Sequence, residues 1–246
     1  MFKYNFLLYV LSPFIVLKLL IYSYKNSLSK SYLSEKLFSH KNISKKSVWL
    51  HAASLGEMKI AINICKHLID NGHKDILITS NTPSSKKIFE NAKLDSIQHY
   101  YLPFDFYLVM KKFVNAVSAN ILIIIETEIW PNLYNLCKKN DTKIIIINAR
   151  FNPPNGLLRI LSQRIYRQTL SHVNHIYCKS KKDKESYLKY VNEECISENG
   201  NIKHALVDEN LDTENLINKK YVLLASSHHR EEIIIIKEWL KLKSNK

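Results

Sequence analysis

Residues 48–70 read VWLHAASLGEMKIAINICKHLID. The run Val48–Ala52 is short, apolar and without alternation, which predicts a strand buried on both faces. From Glu57 the spacing changes. Ile60, Ile64 and Leu68 fall on one side of a 3.6-residue period and Gly72 follows as a stop, so a helix is expected over 57–70. Ser54-Leu55-Gly56-Glu57 joins the two.

The same pairing repeats down the chain. Strands are expected at Ile76–Thr79, His99–Leu102, Ile121–Ile125, Ile144–Ile147 and His175–Cys178, with helical patterns at 106–117, 130–139, 157–170 and 181–190. Unalternating strands separated by helices imply a parallel sheet covered on both sides, a doubly wound α/β domain. A second start comes late. The polar stretch 207–220 reads as a connection, YVLLASS (221–227) as a new buried strand and 230–243 as a helix. One βα unit cannot make a sheet, so the expectation is a second domain mostly lacking from the chain, in preference to a lone unit docked on the first.

The 246 residues carry 36 Lys+Arg against 22 Asp+Glu, a formal charge of +14. That excess suits an anionic partner, and it equally suits a coding bias, since Lys, Ile and Asn crowd a chain with only 4 Gly. Charge alone would admit nucleic acid, but no aromatic-basic surface motif accompanies it, so none is expected. Cys65, Cys137, Cys178 and Cys195 lack the short spacing of a metal clip and read as reduced thiols, three of them buried. Residues 5–22, NFLLYVLSPFIVLKLLIY, are nearly all apolar. They read either as a borderline span with the body on the cytoplasmic side, where Lys25, Lys30 and Lys36 lie, or as an in-plane helix with Lys18 snorkelling. A core helix is the weakest reading, because Lys25–Lys46 reads as a separating basic linker. The expected organisation is an anchor at 1–24, a linker at 25–46, a Rossmann-like domain at 47–206 and the start of a second domain at 207–246.

In a doubly wound sheet, ligands sit beyond the carboxyl ends of the strands. After the first strand, Gly56 is expected to permit a tight turn and Glu57 to open a helix, whose free N–H groups favour anions. Glu57 is then either an ordinary first-turn acid or a functional carboxylate. After the fourth strand come Glu126 and Glu128, acids that must be paired or face a cleft. Pro131 opens the next helix. After the fifth comes Arg150, which either pairs with one of these acids or holds an anionic group. Gly200-Asn201-Ile202-Lys203 forms a further turn. His228 and His229 are adjacent and diverge, so no metal site is expected. No glycine-rich cofactor or phosphate loop is present.

Taken together, WLHAASLGE (49–57), TSNTPSS (79–85), YLPFD (101–105), ETEIWPN (126–132), NAR (148–150), GNIK (200–203) and ASSHHREE (225–232) resemble the 3-deoxy-D-manno-octulosonic acid (Kdo) transferases of Gram-negative bacteria, in order and spacing along the whole chain. The resemblance implies a two-domain GT-B glycosyltransferase at the cytoplasmic face of the inner membrane. It would move Kdo from CMP-Kdo to the lipid A precursor in lipopolysaccharide synthesis, with inversion and without metal or cofactor. Glu57 matches the family's general base, and Glu126 and Lys203 match positions assigned to transition-state stabilisation. Ser54, Gly56, Glu128, Arg150, Asn201, Ser227 and His228 are the residues expected to bind substrate. Three departures stand out. The family's nucleotide-binding segments lie beyond Lys246, Arg230 replaces a usual glycine, and His204-Ala205 replace an aromatic-acidic pair. The alternative is an inactive remnant that binds only membrane or lipid A precursor, unless a missing second domain is supplied.

Overall fold

The structure, a computed structural model, describes residues 1–37, 43–151, 156–202, 224 and 231–244. The chain divides into two compact units, Met1–Val207 and Asp208–Lys246. In the first, helices α1 (Phe2–Lys25) and α2 (Lys30–Leu37) precede a regular alternation. It runs β1 (Val48–His51), α3 (Leu55–Asp70), β2 (Ile76–Ser80), α4 (Pro83–Asn91), β3 (Gln98–Tyr101), α5 (Tyr107–Val117), β4 (Ile121–Ile125), α6 (Pro131–Lys139), β5 (Lys143–Ala149), α7 (Gly156–Leu170), β6 (His175–Cys178), α8 (Lys181–Tyr187) and β7 (Ile196–Glu198). In the second unit, helix α9 (Glu231–Ser244) carries exposed Ile233–Ile236, Trp239 and Leu240. The strand expected at 221–227 lies outside the described residues apart from Leu224.

All neighbouring strands pair in parallel, in the order β3-β2-β1-β4-β5-β6-β7. This is the doubly wound, Rossmann-like sheet that the strand patterns imply. Two apolar clusters explain why both faces are covered. Leu50, Ile76 and Ile78 pack with Met58, Ile60, Ala61 and Cys65 of α3. Trp49, Leu77, Leu122 and Ile144 pack with Phe113 and Val114 of α5 and Leu133 and Tyr134 of α6. Adjacent residues of β1 thus enter opposite cores, which is why VWLHA shows no alternation. Cys65, Cys137 and Cys178 are buried free thiols.

Four elements depart from the expectations. The basic stretch 25–46 is not simply a linker. It contains α2, whose Tyr32, Lys36 and Leu37 are buried. Helix α4 was not foreseen, because its cue is a start signal rather than a long apolar period. Thr82 caps it, accepting from the Ser85 amide, and Pro83 occupies the first turn. Strand β7 is only 3 residues long, too short to register as a pattern. Finally, α3 begins at Leu55 rather than Glu57, so Gly56 sits in the first helical turn and not in a left-handed turn.

Helix α1 lies against the body at its amino end. Tyr4 donates its hydroxyl hydrogen to Asp105 Oδ2 at 2.9 Å and Asn132 Nδ2 donates to Asn5 Oδ1 at 2.6 Å. Asp105 is buried and also accepts the Asn132 and Leu133 amides at 2.8 and 2.9 Å, capping α6. One carboxylate therefore serves three donors that would otherwise be orphaned on desolvation. Asp105→Ala is expected to cost ~2–4 kcal/mol in urea unfolding and to loosen the amino end of α1 to proteolysis. A loss below about 0.5 kcal/mol would show that water replaces the carboxylate.

Candidate active site

Strands β1 and β4 are neighbours in space, yet β1 feeds α3 on one face of the sheet while β4 feeds α6 on the other. The strand order reverses here, and the diverging loops leave a crevice at the carboxyl ends. Glu57 stands on the β1 side and Glu126 and Glu128 stand on the β4 side. Ser54 caps α3 and anchors the first of them. Its hydroxyl donates to Glu57 Oε1 at 2.7 Å, and its oxygen accepts from the Glu57 amide. The Ala53 amide donates to Glu57 Oε2 at 2.7 Å. This is a capping box whose acid reaches back to the loop before the helix. The carboxylate is fixed on both oxygens and only 7% of the residue is exposed. Burial pushes its pKa above the ordinary 4.5. The Ser54 and Ala53 donors oppose that rise, and the nearby Glu128 and Glu126 charges reinforce it.

Glu128 is treated oppositely. Its Oε2 accepts from the Trp130 indole at 2.7 Å and from Asn81 Nδ2 at 3.2 Å. Burial alone would raise its pKa, but His51, Trp130 and Lys36 outweigh burial and hold it below the usual value. His51 Nε2 lies 3.7 Å away. That distance is beyond ordinary hydrogen-bond range. His51 is oriented through Nδ1 by Thr79 Oγ1 at 2.9 Å, and Thr79 also accepts the Trp49 indole at 2.8 Å. Two carboxyl groups pushed in opposite directions across one crevice are the arrangement that separates acid–base roles.

Glu126, directly after β4, and Asn148, one residue before the end of β5, have φ of 64° and 50°. Left-handed backbone suits asparagine far better than glutamate. Glu126 is therefore held in a strained conformation by its surroundings. Its amide donates to Ile147 O at 2.9 Å. Asn148 Nδ2 donates to Glu126 Oε1 at 3.4 Å, while Asn148 Oδ1 accepts from the Ile202 amide at 3.2 Å. Gly200, at φ 78°, turns the chain after β7 so that Asn201 and Ile202 come to this edge.

The family pattern described as 3-deoxy-D-manno-octulosonic-acid transferase (kdotransferase) matches residues 31–206. The chain belongs to the Kdo transferase family. It is 28% identical over 250 residues to the 3-deoxy-D-manno-octulosonic acid transferase of Rickettsia bellii, a match covering 95% of this chain and 58% of the relative. It is 32% identical over 155 residues to the enzyme of that name from Haemophilus influenzae, covering 61% and 36%. The chain thus spans well under two thirds of these relatives' length. Among solved structures, a UDP-N-acetylglucosamine 2-epimerase aligns over 64% of this chain and 47% of its own at 9% identity, with a TM-score of 0.47.

Of the residues expected from the sequence, the structure brings Ser54, Glu57, Glu126, Glu128 and Asn201 to one end of the sheet. Gly56 lies in the first turn of α3. Arg150 does not pair with Glu126 or Glu128. It is exposed and forms no ion pair among the described residues, while its carbonyl accepts from the Thr127 hydroxyl. Lys203, Ser227 and His228 lie outside the described residues. Among the described residues, no three His, Cys, Asp or Glu side chains are grouped to hold a metal.

Residues that sequence reading passed over complete the site. His51 and Thr79 are polar side chains inside apolar strands, a visible cue. Asn81 follows β2 and would have emerged from the rule already applied to β1, β4 and β5. Lys36 offered no cue. Its ammonium is buried and donates to Asn81 Oδ1 and to Leu102 O, each at 2.8 Å. It thus cannot count towards a membrane-facing charge bias. Burial pulls its pKa from 10.5 to about 7, against the attraction of Glu128 and Glu35. Between those values the unfolded chain holds more protons than the native one, so stability rises with pH. Relative to Lys36→Met, the wild type is expected to gain stability as pH rises from about 7 towards 10.5. Urea unfolding at stepped pH would read this, and parallel pH slopes in the two proteins would refute it.

Proposed function

We propose that the chain forms the acceptor-binding half of an inverting Kdo transferase acting on the lipid A precursor, with CMP-Kdo as donor and Glu57 as general base. The observation that carries this reading is Glu57 itself. It is a buried carboxyl fixed by Ser54 and Ala53 at the switch point, with its pKa raised towards working pH. A sugar hydroxyl needs a positioned base as it attacks an anomeric carbon, and a base is most effective when its pKa approaches the operating pH. The hydroxyl proton passes to Glu57 while the bond to the CMP phosphate breaks on the opposite side of the sugar. Glu126 would favour the oxocarbenium-like centre, and Lys203, which follows Ile202 in sequence, would favour the departing phosphate. Glu128, kept ionised, would maintain the field that keeps Glu57 basic.

Helix α1 is long and apolar enough to cross a membrane by length and composition. Its amino-terminal Tyr4 and Asn5 nevertheless bond to Asp105 and Asn132 of the body, and Leu19 and Ser23 near its other end are buried. A helix about 36 Å long with both ends on one body favours the in-plane arrangement over a span. The exposed side would enter the cytoplasmic leaflet of the inner membrane, and the basic surface would suit a phosphorylated lipid.

Transfer from CMP-Kdo is expected when the chain is supplied with the second domain of a relative. Glu57→Gln should lower turnover by ~10²–10⁴ with little loss of thermal stability. Retained turnover would remove Glu57 as base. If the wild type transfers nothing with or without the added domain, the catalytic reading fails for this polypeptide, and lipid binding by an inactive remnant takes its place.

A further inference from the structure

The face of α1 turned towards the body is not filled along its length. The ends are held, at Tyr4 and Asn5 and again at Leu19 and Ser23. Between them Leu8, Ile15 and Leu19 face Phe104, Phe106 and Trp130 across a groove of about 430 Å³. The spacing 8, 15, 19 keeps these side chains on one side of the helix. Packed interiors do not leave apolar space of this size, and small-molecule sites occupy roughly 300–1,000 Å³.

Two observations give the groove a hydrocarbon setting. On the outer side of α1, Phe6, Leu7, Val10, Phe14 and Leu17 are exposed. Within α1, Pro13 removes the amide that would bond the Tyr9 carbonyl. The Ser12 hydroxyl donates to that same carbonyl at 2.7 Å. Water would satisfy a freed carbonyl in an aqueous helix, whereas in lipid a local side chain must do so. One wall of the groove, Trp130, also contacts the site carboxylates, since its indole donates to Glu128 Oε2 at 2.7 Å. Lys18, exposed on α1, lines the groove as well.

We propose that this groove is an acyl-chain subsite for the lipid acceptor, with one chain lying between α1 and Phe104–Phe106–Trp130 and Lys18 set against a headgroup phosphate. The assignment rests on the acceptor reading above and deepens it. The acceptor is favoured over bulk phospholipid because the groove shares Trp130 with Glu128, a carboxylate close enough to the proposed base to influence it.

The test uses the full chain in phosphatidylcholine nanodiscs. Its probes are lipid A precursor, the fully deacylated headgroup, and precursor carrying brominated acyl chains. Leu8→Phe with Ile15→Phe fills the groove. Affinity for the acylated precursor is expected to fall roughly tenfold or more, with headgroup affinity unchanged. Val10→Phe, on the exposed outer side of α1, should alter neither. Brominated precursor should quench the fluorescence component lost in Trp130→Phe, a readout that leaves the groove residues unaltered. An undiminished affinity for precursor, an equal loss for the headgroup, or equal quenching by brominated phosphatidylcholine without precursor would each overturn the subsite and leave the acceptor reading intact. Failure of the unaltered chain to bind either precursor or headgroup would overturn the acceptor reading and the subsite together.

Discussion

The grip of Ser54 and Ala53 on the Glu57 carboxylate is the constraint on which the rest of the site depends. An ionised carboxylate buried without partners is costly, and burial favours its protonation. Here a hydroxyl and an amide occupy its two oxygens. The same contacts begin α3, so folding the helix and placing the carboxyl are one event. Because β1 lies between β2 and β4, the helix that starts there must diverge from the one that starts after β4. The crevice is a consequence of topology, and Glu57 stands on its β1 side.

Around this centre the sheet carries an uncommon amount of buried polarity. Trp49, His51 and Thr79 form a chain inside the strands, while Lys36 and Asn81 form a second one that ends on Glu128. Polar groups in such a place stabilise only if mutually satisfied, and satisfaction comes partly from α2, outside the sheet. Docking of the amino-terminal region thereby bears on the electrostatics of the crevice. Asp105 makes a parallel link, since one carboxylate caps α6 and receives Tyr4 of α1. The apolar amino-terminal helix is thus tied to the element that follows the Glu126–Glu128 loop.

Much of this was legible in the sequence, for identifiable reasons. Continuous apolar runs such as ILIII and KIIII can be buried only in a two-sided sheet, so strands β1 to β6 and the doubly wound class followed. The Ser54-Leu55-Gly56-Glu57 junction and the acids behind β4 located the crevice once strand ends were searched. What stayed hidden depends on tertiary approach. Lys36 is chemically indistinguishable from its neighbouring lysines until α2 packs beside β3. The placement of α1 along the body, rather than beyond a linker, rests on Tyr4 and Asn5, polar residues that apolar periodicity ignores. Arg150 was a plausible partner for an acid, but it follows β5 at an exposed position, and Asn148 takes the place beside Glu126.

The central claim is that the crevice keeps Glu57 basic, and its titration tests this without requiring turnover. Side-chain carboxyl carbon NMR of the labelled chain, with the Glu57 signal assigned by its loss in Glu57→Gln, gives the midpoint directly. The account predicts a value above the ordinary 4.5, a decrease in Glu128→Gln as a like charge disappears, and an increase in Ser54→Ala as a donor to the ionised form is lost. A midpoint at or below 4.5, or one indifferent to Glu128→Gln, would contradict it.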